Sequence, residues 1–361
     1  METRKIDQKI SKEIPTKTNL FNLKTIFIIA LLFSSGLAFP QNQMTSIPKL
    51  QQEDIEVITE AFNLWKTKGE KVWKAWTSIN MPFIYRKENF EYWINFPSSM
   101  KEKGQYVEEI KNMAVYGQAI KNKNAFAASK DIYNISAVVL SSPKILEMTK
   151  EEWIITAMHE MFHVFQSSNK TYQNQKDKLD LAYGNDASWM LDYPFPYKDT
   201  SLKTISHMQG YLLYKIYQSD NFEKNMYDCF LLKDILSLYK NDIIQKYGND
   251  KYYKYSNFQQ SVEGVAKYTE LKMAEIAATD YTPLSTNIHF TDIYTKQINV
   301  IRHCGKGTGG RLTFYYLGLG KCLVLDKINP KWKDSYFNTA WLDDIFNISL
   351  KQIIEEKKEL K

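Results

Sequence analysis

Two of the five histidines in this chain stand four residues apart in the segment TAMHEMFHVFQ, which runs from Thr156 to Gln166. On a helix of about 3.6 residues per turn, His159 and His163 project from the same face, one turn apart. Both imidazoles can then reach one ion at the roughly 2 Å of a zinc–nitrogen bond. Glu160 is turned by about 100° from His159. Its carboxylate is therefore expected beside the ion, where it can act as the general base for an activated water.

The same residues could instead be two histidines of an ordinary buried helix, next to a glutamate that is there by chance. With so few histidines, this five-residue pattern arises by chance in well under about 1% of such chains. The flanking sequence agrees with a capped and buried helix, because Thr149 and Glu152 have the spacing of a capping box and apolar stripes follow them. We therefore predict a zinc site on this helix.

Catalytic zinc usually takes three protein ligands and leaves the fourth position to water. No histidine follows His163 closely, and the others are scattered along the chain at His207, His289 and His303. The best third ligand is Glu263, in the segment SVEGVAKYTEL. Gly264 beside it would allow a close backbone approach to the histidine helix, and Glu270, two turns along the same face, could orient an imidazole N–H. A solvated helix with two glutamates is the alternative.

With HEMFH and EGVAKYTE together, the chain resembles the gluzincin zinc metallopeptidases, the broad group of thermolysin and the membrane alanyl aminopeptidases. In the aminopeptidases the third ligand opens an E-G-x-A-x-Y-x-E pattern, which the segment Glu263–Glu270 matches at every fixed position. Their catalytic tyrosine lies in a Y-x-x-G stretch, which is matched by Tyr315–Gly318. The resemblance implies that Tyr315 donates a hydrogen bond to the oxyanion of the tetrahedral intermediate. Tyr316 and His303 are the alternatives for that role.

The resemblance covers roughly Asn124 to Pro330, and the chain departs from the family pattern in three respects. The G-x-M-E-N stretch that grips a free N-terminal amine in the aminopeptidases is missing, and so is their large N-terminal β domain. We therefore expect an endopeptidase in preference to an aminopeptidase. Lys267 stands where thermolysin relatives place a supporting aspartate, so that support must come from another residue. In the family an edge strand before the zinc helix holds the substrate backbone, and Tyr133–Leu140 is suitably placed for this.

The elements that must position these residues follow from the apolar patterning. Residues 52–77 have helical spacing, and Met81–Pro97 and Asn124–Ser142 each have the composition of a pair of short strands. Long helical patterns dominate after Pro143.

The predicted fold class is therefore α+β. We expect a lobe with a small mixed or antiparallel sheet over residues 44–146 and a mostly helical lobe over residues 147–361. The zinc site should lie at the cleft, on the histidine helix.

Residues 1–43 have the features of an export signal and its cleavage region. A basic stretch ends at Lys24, a short apolar run TIFIIALLF follows, and small residues allow cleavage after Ala38. Extended to Phe39, the apolar run is about 15 residues long, short of the roughly 20 that span a bilayer. We expect an exported protein, periplasmic or secreted, that begins near Phe39 to Gln43. An uncleaved membrane anchor at the N-terminus is the alternative.

The composition narrows the range of partners. The net charge is +6 at pH 7, and part of that surplus lies in the basic leader. So small a surplus gives no reason to expect a nucleic-acid partner, and we expect no stable membrane partner beyond export. The chain has three cysteines, which is too few for a disulfide framework, although Cys304 and Cys322 could pair.

The sequence thus predicts an exported zinc metallopeptidase with a peptide or protein substrate. His159, His163 and Glu263 would bind Zn²⁺, and Glu160 would take a proton from the attacking water and pass it to the leaving amine. Tyr315 would share the oxyanion charge with the metal. Two alternatives stay open: a catalytically inactive binding protein with a peptidase fold, and a zinc hydrolase with a non-peptide substrate. The presence of Glu160 argues against the first, because a structural zinc site needs no base.

Overall fold

The computed structural model describes residues 46–100, 102–121, 124–181, 189–220, 225–291, 294–339 and 341–359. The export signal predicted over residues 1–43 lies outside the described residues. None of the helices in the described ranges is both long enough and apolar enough to cross a bilayer.

The strands are β1 (Phe83–Lys87), β2 (Phe90–Ile94), β3 (Gln105–Ile110), β4 (Met113–Ala119), β5 (Ala127–Ile132) and β6 (Ile135–Ser141). The helices are α1 (Gln52–Val72), α2 (Pro143–Leu146), α3 (Lys150–Ser168), α4 (Lys170–Asp177), α5 (Trp189–Asp192), α6 (Thr200–Gln218), α7 (Met226–Tyr247), α8 (Lys251–Gln259), α9 (Val265–Thr279), α10 (Tyr294–Ile301), α11 (Leu312–Ile328), α12 (Trp332–Tyr336) and α13 (Leu342–Glu359). A π-helical turn at Gln260–Gly264 joins α8 to α9. Short 3-10 turns lie at Trp76–Ser78 and Ser98–Met100.

The six strands form one mixed sheet in the order β3-β4-β2-β1-β6-β5. β1 and β6 run parallel, and the other neighbours are antiparallel. The predicted α+β class and both predicted strand pairs are confirmed. The β3–β4 hairpin was not predicted, because much of β3 is exposed and its apolar pattern is weak. Its tight turn places Lys111 and Asn112 at positive φ, a conformation that the two-residue hairpin turn requires.

The edge strand before the histidine helix is β5, and our assignment of Tyr133–Leu140 to that edge was wrong. β6, which contains most of this segment, lies between β1 and β5. The residues of β6 from Ala137 to Ser141 are all buried, as is typical of a strand that is paired on both sides and covered on both faces. β5 is partly or fully exposed along its whole length, as an edge strand is expected to be.

α1 ends at Val72, before the predicted end at residue 77. The chain turns there because two tryptophans pack inward onto the histidine helix α3. Trp73 stacks on Phe162 with ring centroids 4.9 Å apart, and Trp76 meets the same ring edge-on at 6.0 Å. Large aromatic side chains contribute much of the apolar area that is buried on folding, so this contact fixes α1 against α3.

The predicted capping box of α3 is confirmed. The Glu152 backbone N–H donates to Thr149 Oγ1 at 3.1 Å, and the Thr149 N–H donates to Glu152 Oε2 at 3.0 Å. Beyond the cap, the helix is buried over most of its length. The strands give way to helices after β6, near the predicted border at residue 146, whereas the division into two lobes stays a prediction.

The three cysteines Cys229, Cys304 and Cys322 are buried free thiols, so the Cys304–Cys322 pairing that the sequence left open does not occur in this structure.

Two glycines let α11 pack directly on the π-helical turn. A Cβ on Gly318 of α11 would lie 2.4 Å from the Gln260 carbonyl oxygen and 2.7 Å from the Gly264 Cα. We expected Gly264 to approach the histidine helix, and this was wrong. Glu263 faces α3, and the next residue along a helix is turned away by about 100°. Gly264 therefore contacts α11 instead.

Replacing Gly318 with alanine should destabilise the protein. At an ordinary helix position this change would stabilise by up to about 1 kcal/mol. Here the new methyl group would meet backbone atoms, and overpacking of this kind costs roughly 1–3 kcal/mol. Chemical denaturation of Gly318→Ala should show the loss.

Gly309→Ala is the matched control, because a Cβ there has no neighbour within 4 Å. A Gly318→Ala protein that is as stable as wild type would show that α11 does not depend on this close approach.

Candidate metal centre

His159, His163 and Glu263 bring three ligand atoms together. The two histidine Nε2 atoms are 3.1 Å apart, and Glu263 Oε2 lies 3.4 Å from His159 Nε2 and 3.2 Å from His163 Nε2. Ligand atoms around a tetrahedral zinc ion with bonds of about 2.0–2.1 Å are separated by roughly 3.3 Å. The three side chains thus form a group that can hold a metal ion, on two elements that are distant in sequence.

The neighbours of the two imidazoles determine which ring nitrogens face the centre. His159 Nδ1 lies 3.2 Å from Glu270 Oε2, and His163 Nδ1 lies 2.6 Å from Gln166 Oε1. Both partners are hydrogen-bond acceptors, so both Nδ1 atoms carry a proton. The Nε2 lone pairs then point toward each other and toward a carboxylate oxygen. One proton can bridge only one pair of these atoms, whereas a metal ion can bind all three.

The orientation of the Gln166 amide is fixed by its own partners. Its nitrogen donates to the Val262 carbonyl oxygen at 3.1 Å and to the Tyr336 hydroxyl at 2.6 Å. Because a backbone carbonyl can only accept, the amide oxygen must face His163. No role was predicted for Gln166 from the sequence. Its contact with His163 could have been predicted from its position three residues after His163, on the same helix face.

Glu270 supports His159 and is itself held by two donors. Lys267 Nζ and Gln297 Nε2 donate to its second oxygen at 2.6 Å and 3.0 Å. Burial raises the pKa of Glu270, but Lys267 and His159 outweigh it and lower the pKa to about 2. Glu270 is therefore an ionised acceptor that orients the His159 ring, as expected of a carboxylate next to a metal-binding histidine. Lys267, which departs from the thermolysin pattern, serves here to hold Glu270.

The charges within the triad attract a cation. Burial lowers the pKa of His159, yet its hydrogen bonds to Glu263 and Glu270 more than compensate and raise the pKa to about 10. Burial likewise raises the pKa of Glu263, but the adjacent His163 and His159 hold it well below its ordinary value. The carboxylates thus stabilise positive charge at this point, and a metal ion that binds has to displace a proton from His159.

Glu160 lies beside the triad and is not one of the converging ligands. Its side chain is largely buried, with 7% exposure. Burial raises the pKa of this carboxyl group, while the nearby His159 and His163 lower it by a smaller amount. The centre therefore includes a buried carboxyl group with a raised pKa close to the three ligand atoms.

Tyr315 is the tyrosine candidate that lies next to the triad. Its ring is nearly parallel to the His159 ring, with centroids 6.2 Å apart. Burial raises its pKa well above the ordinary value, so the phenol keeps its proton and can donate a hydrogen bond. Tyr316 instead contacts the ammonium group of Lys267, and His303 is exposed. The structure thus brings Tyr315 to the centre, while the role of its hydroxyl stays a prediction.

Comparison with known proteins adds no relative. Neither a protein-family model, nor a curated protein, nor a solved structure matches this chain. The chemistry of the centre is therefore inferred from the positions of its side chains.

The purified protein should bind one zinc ion per chain, and the loss of a ligand should weaken binding more than the loss of a supporting residue. Glu263→Ala removes a ligand atom and should greatly reduce the affinity. Glu270→Ala removes only the hydrogen bond to His159 and should cost about 10- to 100-fold. Competition with a coloured chelator gives both affinities.

Glu275→Ala on the same helix as Glu270 is the control, because Glu275 is partly exposed and pairs with Lys272 and not with a member of the triad. The ligand assignment is wrong if Glu270→Ala abolishes zinc binding while Glu263→Ala retains it.

Proposed function

We propose that the protein is an exported zinc-dependent metallopeptidase of the gluzincin type. The observation that supports this most strongly is the position of Glu160, a buried carboxyl group next to three converging ligand atoms. Burying a carboxylate costs free energy, and a metal site that only stabilises the fold gains nothing from an extra one that is not a ligand. A hydrolytic site, in contrast, requires a base at this position.

Bound zinc would supply Lewis-acid chemistry, because it lowers the pKa of a water and polarises the carbonyl group of the substrate. Glu160 accepts the proton of the attacking water and passes it to the leaving amine. A carboxyl group whose pKa is raised by burial suits both steps, since it is a stronger base and returns the proton at a pH closer to neutrality.

Tyr315 donates a hydrogen bond to the oxyanion that forms as the water attacks. Two features support this role: the ring lies beside His159, and the phenol keeps its proton. A fixed donor of this kind stabilises charge that develops only in the transition state.

The exposed edge of β5 (Ala127–Ile132) is proposed to hold the substrate backbone. An edge strand offers unpaired N–H and C=O groups, to which an extended peptide can add as a further strand. Tyr133–Leu140 was predicted to hold the substrate backbone, and the edge of β5 is proposed for this role instead. A peptide bound in this way can extend in both directions along the edge, which favours an endopeptidase.

Glu160→Gln should separate metal binding from catalysis. The change keeps the size of the side chain and removes its basicity, so zinc content should stay at one per chain. Turnover should fall by about 10²–10⁴-fold, the usual contribution of a positioned base. Peptide cleavage and metal analysis on the same sample provide the two readouts.

Glu151→Gln, on the first turn of the same helix, controls for the loss of a carboxylate. Two results would count against the mechanism. If wild type cleaves no peptide in a broad library and Glu160→Gln equals it in zinc content and thermal stability, the protein is a binding protein. If Glu160→Gln loses its zinc, Glu160 is a ligand and not a base.

Tyr315→Phe should lower kcat by about 10²–10³-fold while zinc content and KM change little, because the lost hydrogen bond is made in the transition state. Tyr316→Phe is the neighbouring control and should have a small effect. A larger loss of kcat in Tyr316→Phe than in Tyr315→Phe would show that Tyr316, and not Tyr315, donates to the oxyanion.

A further inference from the structure

Arg311, the residue before α11, directs its guanidinium group toward the metal centre. Its Cζ atom lies 5.6 Å from the centre of the Tyr315 ring, and that ring is 6.2 Å from the ring of His159. One terminal nitrogen, Nη1, is fully buried and has no hydrogen-bond partner among the described residues. A buried charged donor without a partner costs free energy, so its presence beside a reactive site calls for a ligand.

The charges around the centre leave Arg311 uncompensated. Glu270 and Lys267 form an ion pair at 2.6 Å and offset each other. Glu160 and Glu263 together offset the charge of a divalent metal ion. Among the described groups at this centre, no further carboxylate is left for Arg311. A bound anion of charge −1 would therefore bring the loaded centre to neutrality.

The other groups near Arg311 are phenols that are already engaged. The Tyr197 and Tyr255 hydroxyls share a hydrogen bond of 3.3 Å, and the Tyr255 hydroxyl also lies 2.9 Å from the Met190 carbonyl oxygen, to which it can donate. Neither phenol offers a negative charge. Aromatic rings around a guanidinium keep water away, which strengthens any ionic contact that the group makes.

We propose that Arg311 binds a carboxylate of the substrate close to the bond that is cleaved. The guanidinium carries a rigid fork of donors that fits the two oxygens of a carboxylate. This inference rests on the proposed peptidase function and adds a substrate class to it. The carboxylate belongs either to the C-terminus of a short peptide or to an aspartate or glutamate side chain near the cleaved bond, and paired substrates distinguish these two sources.

The competing role for Arg311 is to stabilise Glu263 through space, since the field of that carboxylate acts on the guanidinium. In that case the loss of Arg311 would weaken zinc binding, and it would affect charged and neutral peptides equally. The selectivity between matched peptides therefore distinguishes a substrate contact from a structural one.

The first experiment measures kcat/KM for two matched pairs of acetylated peptides. One pair differs only in a free C-terminal carboxylate or carboxamide, and the other only in glutamate or glutamine next to the cleaved bond. Wild type should prefer the charged member of one pair by about 10- to 100-fold, as expected for a charge-assisted hydrogen bond. Arg311→Gln should abolish the preference. Arg311→Lys should retain part of it, because lysine keeps the charge without the fork.

The second experiment needs no catalysis. Dissociation constants of the same peptides are measured for zinc-loaded Glu160→Gln protein, with and without Arg311→Gln. The charged peptide should bind more weakly by about 10- to 100-fold when Arg311 is replaced, and the neutral peptide should not. Arg302→Gln is the matched control, because Arg302 is an exposed arginine that contacts His303 and the Tyr214 ring.

The proposal is overturned if charged and neutral peptides bind equally well to Glu160→Gln protein, both with and without Arg311→Gln. A loss of zinc in Arg311→Gln would also overturn it. If no peptide is cleaved but charged peptides still bind in a manner that depends on Arg311, the carboxylate site stands and the proposed hydrolysis fails.

Discussion

The contact between Gly264 and Gly318 sets the distance between the two helices that complete the metal centre. With no side chain on either glycine, the backbones of α11 and the π-helical turn come together so closely that a Cβ on Gly318 would lie 2.4 Å from a carbonyl oxygen. This contact places Tyr315 and Arg311 on the same side as Glu263. On the opposite side of the turn, Gln166 binds the Val262 carbonyl and connects the turn to the histidine helix. Glu263 is thus held between two helices.

The π-helical turn itself explains why such support is needed. A π turn interrupts the regular hydrogen bonding of a helix, and such turns often occur at functional sites. Tyr336 donates to the Ser261 carbonyl at 2.6 Å, and the Leu342 N–H donates to Ser261 Oγ at 2.7 Å. Side chains and backbone from later helices therefore satisfy polar groups that the turn leaves free. The stability of the C-terminal helices and the position of Glu263 are coupled through these contacts.

Local patterns in the sequence allowed the histidine helix, its capping box and two strand pairs to be predicted, because spacing and capping depend on residues that are near in the chain. Glu263, the third member of the candidate triad, was recognisable from its motif. Contacts between distant segments that carry no such motif were not predictable. Arg311 has no motif, and the fact that its buried nitrogen lacks a partner within the described ranges depends on how α11 packs. The edge position of β5 likewise depends on the order of strands in the sheet, which apolar patterning does not contain.

We propose above all that His159, His163 and Glu263 together bind one zinc ion. Anomalous diffraction from crystals of the zinc-loaded protein, recorded on both sides of the zinc absorption edge, tests this directly. We expect a single strong peak about 2.0–2.2 Å from the two histidine Nε2 atoms and from a Glu263 carboxylate oxygen. A peak at another location, or no peak between these three side chains in protein that contains zinc, would contradict it.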